Sequence, residues 1–249
     1  MNGMGELLSV QAPLVQTLAE NGWDHVPGDQ LGRPDEDPFV TAEVKAALVR
    51  LNPAIAEDPE RVHEVMRRLR TLPLTALESG LVDANREFAA WLKGEVTHEY
   101  VGTKGSVPVR LVDFEDLSKN RYVVSEEVRY GTPGHIARFY VVLWVNGFPL
   151  VVGELKTPLQ KNKSWATGAQ ELVDTYQPGW APFFVSNVLC FATEGKQYRY
   201  AGVGTPLQHW YTWGAAPDQP RLSHVLETAA SMLTPQVVLD FLQDFSIFE

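Results

Sequence analysis

The stretch FYVVLWVNGFPLVVGELKTP, residues 139–158, decides the fold. It holds two apolar runs, Phe139–Val145 and Leu150–Leu155, with Asn146-Gly147 between them. Both central residues of a type I′ turn need positive φ, and Asn-Gly meets that need at low cost, so the pattern predicts a β-hairpin. Arms that are apolar at consecutive positions are covered on both faces, which puts this hairpin at the centre of a sheet. Glu154 and Lys156 then break into the end of the second arm, two residues apart. A period of two sends both side chains to one face at the strand end. A carboxylate and an ammonium there are costly unless they pair with each other or bind something. A salt bridge is the plain reading of Glu-x-Lys. The functional reading is a metal-ligating Glu beside a Lys that polarises a water.

The rest of the composition bounds the answer. With 249 residues, 45% hydrophobic and 10% aromatic, the chain is globular and near the upper end for one domain. No apolar run reaches the roughly 18 residues of a membrane span, and no basic-then-apolar leader opens the chain. A cytoplasmic protein with no membrane contact is expected. The single Cys190 excludes an internal disulfide framework and a cysteine-based zinc site. The net charge of −10 is unevenly spread: residues 101–165 carry +3 and the remainder −13. A basic centre in an acidic chain suits an anionic polymer held at one cleft, although a solvated face carries charge as well.

Taken in order, apolar spacing predicts helices over Leu7–Asn21, Thr41–Leu51, Pro59–Leu72 and Ala84–Gly94. The period then shortens to strands at Val107–Val112 and Tyr122–Val128, followed by the hairpin arms. A helix over Ala166–Tyr176 precedes strands at Phe183–Val185, Val188–Ala192 and Tyr198–Ala201, and helices over Leu222–Leu233 and Pro235–Leu242 close the chain. The expected class is a mixed α/β domain with a central sheet flanked by helices and an N-terminal helical region.

From Ala84 onward the chain resembles the N-terminal nuclease domain of the motor (R) subunit of type I restriction enzymes. The matching pieces are Ala84-Asn-Arg-Glu-Phe88, Leu92-Lys-Gly94, Val112-Asp-Phe114, Asn120-Arg-Tyr-Val-Val124, Arg138, the block from Val141 to Pro158, and the closing Leu239–Glu249. The resemblance implies a PD-(D/E)xK core over residues 81–215. Residues 1–80 form a helical region packed on it, and helices over 216–249 lead to a helicase motor beyond this chain. It implies Mg²⁺-dependent cleavage of double-stranded DNA. Glu154 and the backbone carbonyl of Leu155 then ligate the metal, and Lys156 orients the attacking water and screens the phosphate charge. Methyltransferase and specificity subunits are the implied partners. ATP would act only through the helicase domains, since no Gly-x-x-x-x-Gly-Lys-Ser/Thr loop is present.

Two positions depart from the family pattern. Its Asp, fourteen residues before the Glu, is Tyr140 here, and a phenol of ordinary pKa about 10 is a poor Mg²⁺ ligand. Its Gln, four residues before a helical Tyr, is Leu172 when counted from Tyr176; Gln170 lies six before, on another face unless the helix is irregular. Glu126 and Glu127, at the end of a neighbouring strand, are candidate substitutes for the Asp, with Glu87 and His135 as further ones. Surface charge and a loop histidine are the competing assignments. Arg129, Lys161 and Lys163 flank the expected cleft as candidate phosphate contacts. Two functions follow: a metal-dependent endonuclease module, or a nuclease-fold module that binds DNA or subunits with its metal site lost.

Overall fold

The structure is a computed structural model that describes residues 4–157, 163–215 and 219–244. It begins with helix α1 (Met4–Glu20) and strand β1 (Asp24–His25), then α2 (Thr41–Leu51), α3 (Pro53–Glu57), α4 (Arg61–Glu78) and α5 (Leu81–Leu92). Two short strands, β2 (Thr97–His98) and β3 (Val107–Pro108), pair only with each other. The long strands β4 (Tyr122–Thr132), β5 (His135–Val145) and β6 (Phe148–Leu155) follow. Helix α6 (Trp165–Glu171) runs directly into a π-helical turn (Leu172–Tyr176). The short α7 (Gln177–Gly179) and α8 (Ala181–Phe184), strands β7 (Leu189–Thr193) and β8 (Tyr198–Ala201), and helices α9 (Leu222–Met232) and α10 (Pro235–Asp244) complete the order.

Six strands form one mixed sheet in the order β1-β4-β5-β6-β7-β8, parallel at β1–β4 and β6–β7 and antiparallel elsewhere. The hairpin predicted from Asn-Gly is β5–β6, and β6 lies inside the sheet with every residue from Phe148 to Leu155 buried. Alternate residues feed two apolar clusters. Val141, Leu143, Val145, Val151 and Phe191 join the larger one, with α1, α2, α4, α5, α9 and α10. Val142, Trp144, Val152, Cys190 and Ala192 join the smaller one, with Ala169, Leu172, Phe183 and Phe184. The larger cluster runs from Val10 to Leu242, so the first and last helices share one core with the sheet.

The turn has the expected geometry, with φ of 50° at Asn146 and 84° at Gly147. It is buried under the start of α2, where Gly147 O accepts from Val40 N at 2.9 Å. A Cβ on Gly147 would stand 2.6 Å from Val40 O, so only glycine fits there. The Asn146 side chain is fully buried and makes four hydrogen bonds. It accepts from Arg121 N and Arg50 Nη2, and donates to Leu111 O and Asn120 Oδ1, at 2.8–3.0 Å. Asn120 in turn bonds both the N–H and the carbonyl of Asp113. Three stretches that carried the family resemblance thus form one hydrogen-bonded cluster that holds the turn.

Three expected elements differ. Val107–Val112 pairs only at Val107–Pro108; Val109, Leu111 and Val112 are buried on alternate or adjacent positions without joining the main sheet. Phe183–Val185 is not a strand but lies at the end of the one-turn α8. Pro182 sets a helical φ, and neighbouring positions on a helix turn both Phe183 and Phe184 into the smaller cluster, which a strand would send to opposite faces. Helix α4 continues through Pro73 to Glu78, carried by burial of Leu69, Leu72, Pro73 and Ala76. The short α3 was not anticipated from the sequence.

Candidate active site

Glu154 and Lys156 come together as the period of two requires. Glu154 sits one residue from the carboxyl end of β6, on the face covered by α6, and its surface is 1% exposed. Lys156 follows the strand and donates its backbone N–H to Thr193 O at 2.8 Å, which fixes the chain direction past the sheet. The approach of α6 depends on Gly168: a Cβ there would lie 3.1 Å from Glu154 Cγ and 3.5 Å from Lys156 Cγ. The first turn of α6 is held at Trp165 N by the Glu194 carboxylate, at 3.0 Å.

The Lys156 ammonium donates to Glu154 Oε1 at 2.7 Å and also to Glu171 Oε2 at the end of α6. Glu171 is 38% exposed along its side chain and was not foreseen in the sequence. The π-helical turn brings it in. Gln177 N–H bonds Leu172 O, five residues back, where an α-helix would reach four. That extra residue per turn places Glu171 at the position relative to Tyr176 that a regular helix gives to Leu172, and Leu172 itself is fully buried in the smaller cluster. Gln170 points away, bonded to Asp174 Oδ2 at 3.0 Å and exposed. The missed signal was a carboxylate five residues before a tyrosine whose fourth residue back is apolar.

Burial dominates the electrostatics. It pushes the Glu154 carboxyl up to about 8 although Lys156 and Lys163 pull it down, and Glu171 adds to the rise. Burial alone would lower Lys156, but Glu154 and Glu171 more than offset it and hold the ammonium above its ordinary value. Tyr176 is raised by burial and then by the charges of Glu154 and Glu171; its ring stands edge-on to Phe139 at 5.4 Å. Glu154 Oε2 is buried and without a hydrogen-bond partner among the described residues, the one carboxylate oxygen in that condition.

No bond joins any of the other candidates to the pair among the described residues. Tyr140 is half-buried on β5, beside Glu154 across the hairpin, and packs against the larger cluster; burial and then the charge of Glu154 raise its phenol, against the pull of Lys156, and its carbonyl accepts from Gln11 Nε2 at 3.0 Å. Glu126 pairs with His25 at 2.6 Å, and Glu127 with Arg138 at 2.9 Å and Gln11 at 2.9 Å. Neither is bonded to Lys156 or Glu154. Glu87 faces Arg68, and His135 stacks on Trp180 at 4.3 Å. Arg129 pairs with Asp35 at 3.1 Å, Lys163 is exposed, and Lys161 lies outside the described residues. Asn85, within the first matching motif, donates to the carbonyls of Val185 and Asn187 and so ties α5 to the turn before β7.

No three His, Cys, Asp or Glu side chains converge to hold a metal ion among the described residues. Mg²⁺ is commonly held by one or two carboxylates, with waters and substrate phosphate completing its shell. The partnerless, buried oxygen of Glu154 is a hard donor of that type, so the donor chemistry fits such an ion.

The fold is a mixed α/β sheet with a buried carboxylate–ammonium pair at one strand end. The sequence narrows it. The family described as the type I restriction enzyme R protein N terminus matches residues 3–209, and the chain belongs to it. The chain is also similar to the type I restriction enzyme HindI endonuclease subunit of Haemophilus influenzae, 26% identical over 252 aligned positions. That similarity covers 94% of the chain and 23% of the relative, so the chain spans about a quarter of that protein's length.

Proposed function

We propose that this chain is the endonuclease region of a type I restriction enzyme R subunit, with a PD-(D/E)xK core that hydrolyses phosphodiesters in double-stranded DNA with Mg²⁺. The observation that carries the reading is the Glu154–Lys156 pair, buried at a strand end with one carboxylate oxygen unpartnered. When bound, a divalent cation lowers the pKa of a coordinated water and neutralises charge on the scissile phosphate. Glu154 supplies the anionic oxygen that holds it, with the Leu155 carbonyl beside it. Lys156, a point charge on a flexible stem, holds the attacking water or the phosphate once it leaves Glu171. Exposed Lys163 and Arg129 contact the DNA backbone, as does Lys161.

On this reading the helices before residue 80 and after residue 216 buttress a core over 81–215. Methyltransferase and specificity subunits supply sequence recognition, ATP acts through helicase domains elsewhere, and the complex works in the cytoplasm. No single helix among the described residues is long and apolar enough to cross a membrane.

Plasmid nicking with Mg²⁺ or Mn²⁺ tests it. The chain should cut, and Glu154→Ala and Lys156→Ala should each lose nearly all cutting; a Glu154→Ala protein that cuts like the parent sinks the reading. One observation favours a second reading: a phenol, Tyr140, stands beside Glu154 where the family pattern has an Asp. A chain that binds DNA, cuts with neither metal, and gains cutting on Tyr140→Asp would be a binding module with a lapsed metal site.

A further inference from the structure

We propose that Glu171, brought in by the π-helical turn, is the second carboxylate of a divalent-cation site shared with Glu154, and that the Lys156 ammonium stands in the cation's place. The inference rests on the nuclease reading for what the cation does, but its binding is measurable separately. Lys156 Nζ bonds Glu154 Oε1 at 2.7 Å and Glu171 Oε2, so the two carboxylates already converge on one positive centre. Two carboxyl groups share one ammonium in a pocket where Glu154 is 1% exposed, so ionising both there is costly unless a further cation joins them. Glu154 Oε2 supplies the second, independent sign: a buried carboxylate oxygen with no partner among the described residues.

The π turn is what makes Glu171 available. In a regular helix the residue beneath Tyr176 is Leu172, an apolar side chain of no use to a cation, and Glu171 is rotated away. With one extra residue in the turn, Leu172 enters the core and Glu171 faces Lys156. π-bulges recur at functional sites because they re-aim one side chain without ending the helix. The two departures from the family pattern then offset each other. A carboxyl group is absent at Tyr140, and one is present at Glu171, which the π turn brings to the level that the pattern gives to a neutral Gln, so the number of carboxyl groups around Lys156 is unchanged.

Calorimetric titration of Mn²⁺ into this chain decides it, with circular dichroism to verify that each variant is folded. The wild-type chain should bind, and Glu154→Gln and Glu171→Gln should each weaken binding by about tenfold or more, as expected when a charged ligand is lost. Lys156→Gln should tighten binding, because the ammonium no longer competes for the carboxylates. Gln170→Ala, on the outer face, should change nothing. Wild-type binding that Glu171→Gln leaves intact overturns the proposal, as does the absence of Mn²⁺ binding at millimolar concentration. If Glu171→Gln does not fold, Glu171→Asp replaces it: weaker binding upholds the site and unchanged binding overturns it. DNA cleavage by the same proteins separates the two readings. Cleavage lost in Glu154→Gln but intact in Glu171→Gln removes Glu171 and leaves the nuclease standing. Mn²⁺ held by both carboxylates with no cleavage keeps this site and removes the nuclease.

Discussion

At the turn end of the β5–β6 hairpin, Asn146 is buried with four hydrogen bonds and no polar atom left over. At the open end of the same hairpin, Glu154 is buried as deeply, with one oxygen bonded to Lys156 and the other to nothing described. The two clusters share strands and depth, so the difference lies in what each is built to do. The turn cluster is neutral at its centre and locks the chain into one conformation. The Glu154 cluster sets two carboxyl groups against one ammonium and leaves one acceptor unused, which stabilise nothing by themselves. Buried polar groups that are fully satisfied specify a fold, and one left short needs a cause, which at Glu154 is the cation proposed above.

The largest effect should come from breaking the turn. Asn146→Ala leaves Arg121 N, Leu111 O and Asn120 without their partner and puts alanine, which tolerates the left-handed region less well than asparagine, at φ 50°; the expected cost is about 3–4 kcal/mol, from ~1–3 kcal/mol per orphaned buried group. Glu154→Gln should instead raise stability at neutral pH, because the unfolded chain ionises this carboxyl there while burial resists its ionisation in the folded one, and Lys156 keeps Glu171. Urea unfolding of both variants measures the contrast. Equal losses at the two ends would break it.

The two ends should also respond to pH in opposite senses. Asp113 lies in the turn cluster; burial raises its pKa, but the N–H groups of Asp116 and Glu115 and the charge of Lys119 outweigh that and hold it below the ordinary value. Its ionised form is therefore favoured in the folded state. That stability is complete above about pH 4, the unfolded value, and is lost as pH falls through the folded one. Glu154 behaves inversely. Its folded pKa is pushed up to about 8, so between the unfolded value near 4.5 and about 8 the folded state holds the extra proton and stability falls as pH rises. Thermal unfolding should show Asp113→Asn losing several degrees at pH 7 and less at pH 3. Glu154→Gln should gain at pH 8 and match the parent near pH 4.5, at roughly 2–4 °C per kcal/mol. Slopes of the same sign in the two variants would mean the clusters do not differ in the way argued.

What the residues disclosed in advance follows the same division. The hairpin, its central position and the Glu154–Lys156 pair were legible because Asn-Gly needs one turn type and a strand alternates with a period of two. Tyr198–Ala201 and Thr41–Leu51 were legible for equally local reasons. Glu171 was not, because a π turn shifts the register by one residue and no period of 3.6 contains that shift. Phe183-Phe184 was misread for a related reason: two adjacent aromatics suit a strand by propensity, and only Pro182 and the packing of both rings on Phe139 favour a helical turn.

A smaller effect should come from the helix that covers the site. Gly168→Ala places a methyl 3.1 Å from Glu154 Cγ, so α6 must shift by a few tenths of an ångström and carry Glu171 with it. Stability should change by less than about 1 kcal/mol, since alanine favours the helix while the contact opposes it. Mn²⁺ binding should weaken more than stability does. The matching small change at the turn, Gly147→Ala, meets Val40 O at 2.6 Å with φ at 84° and should cost stability while leaving Mn²⁺ binding alone. Calorimetry and unfolding on this pair sharpen the comparison, because each variant should move one readout and spare the other.

The smallest expected effect lies on the surface beside Glu154. Lys163 is exposed, yet its charge is felt by the Glu154 carboxyl, so it stands near the mouth of the site. Arg129 is already paired with Asp35. A free surface cation releases counterions from DNA more fully than one that is neutralised within the protein. Lys163→Ala should therefore lower the salt dependence of DNA binding by about 0.9 in the logarithmic slope, the value for one phosphate contact, and Arg129→Ala by less. Fluorescence anisotropy over a salt series reads both. A slope unchanged in Lys163→Ala would take that residue out of the interface, and a larger change in Arg129→Ala would mean that DNA displaces Asp35. Either result moves the DNA path relative to Glu154 without touching the contrast between the two ends of the hairpin.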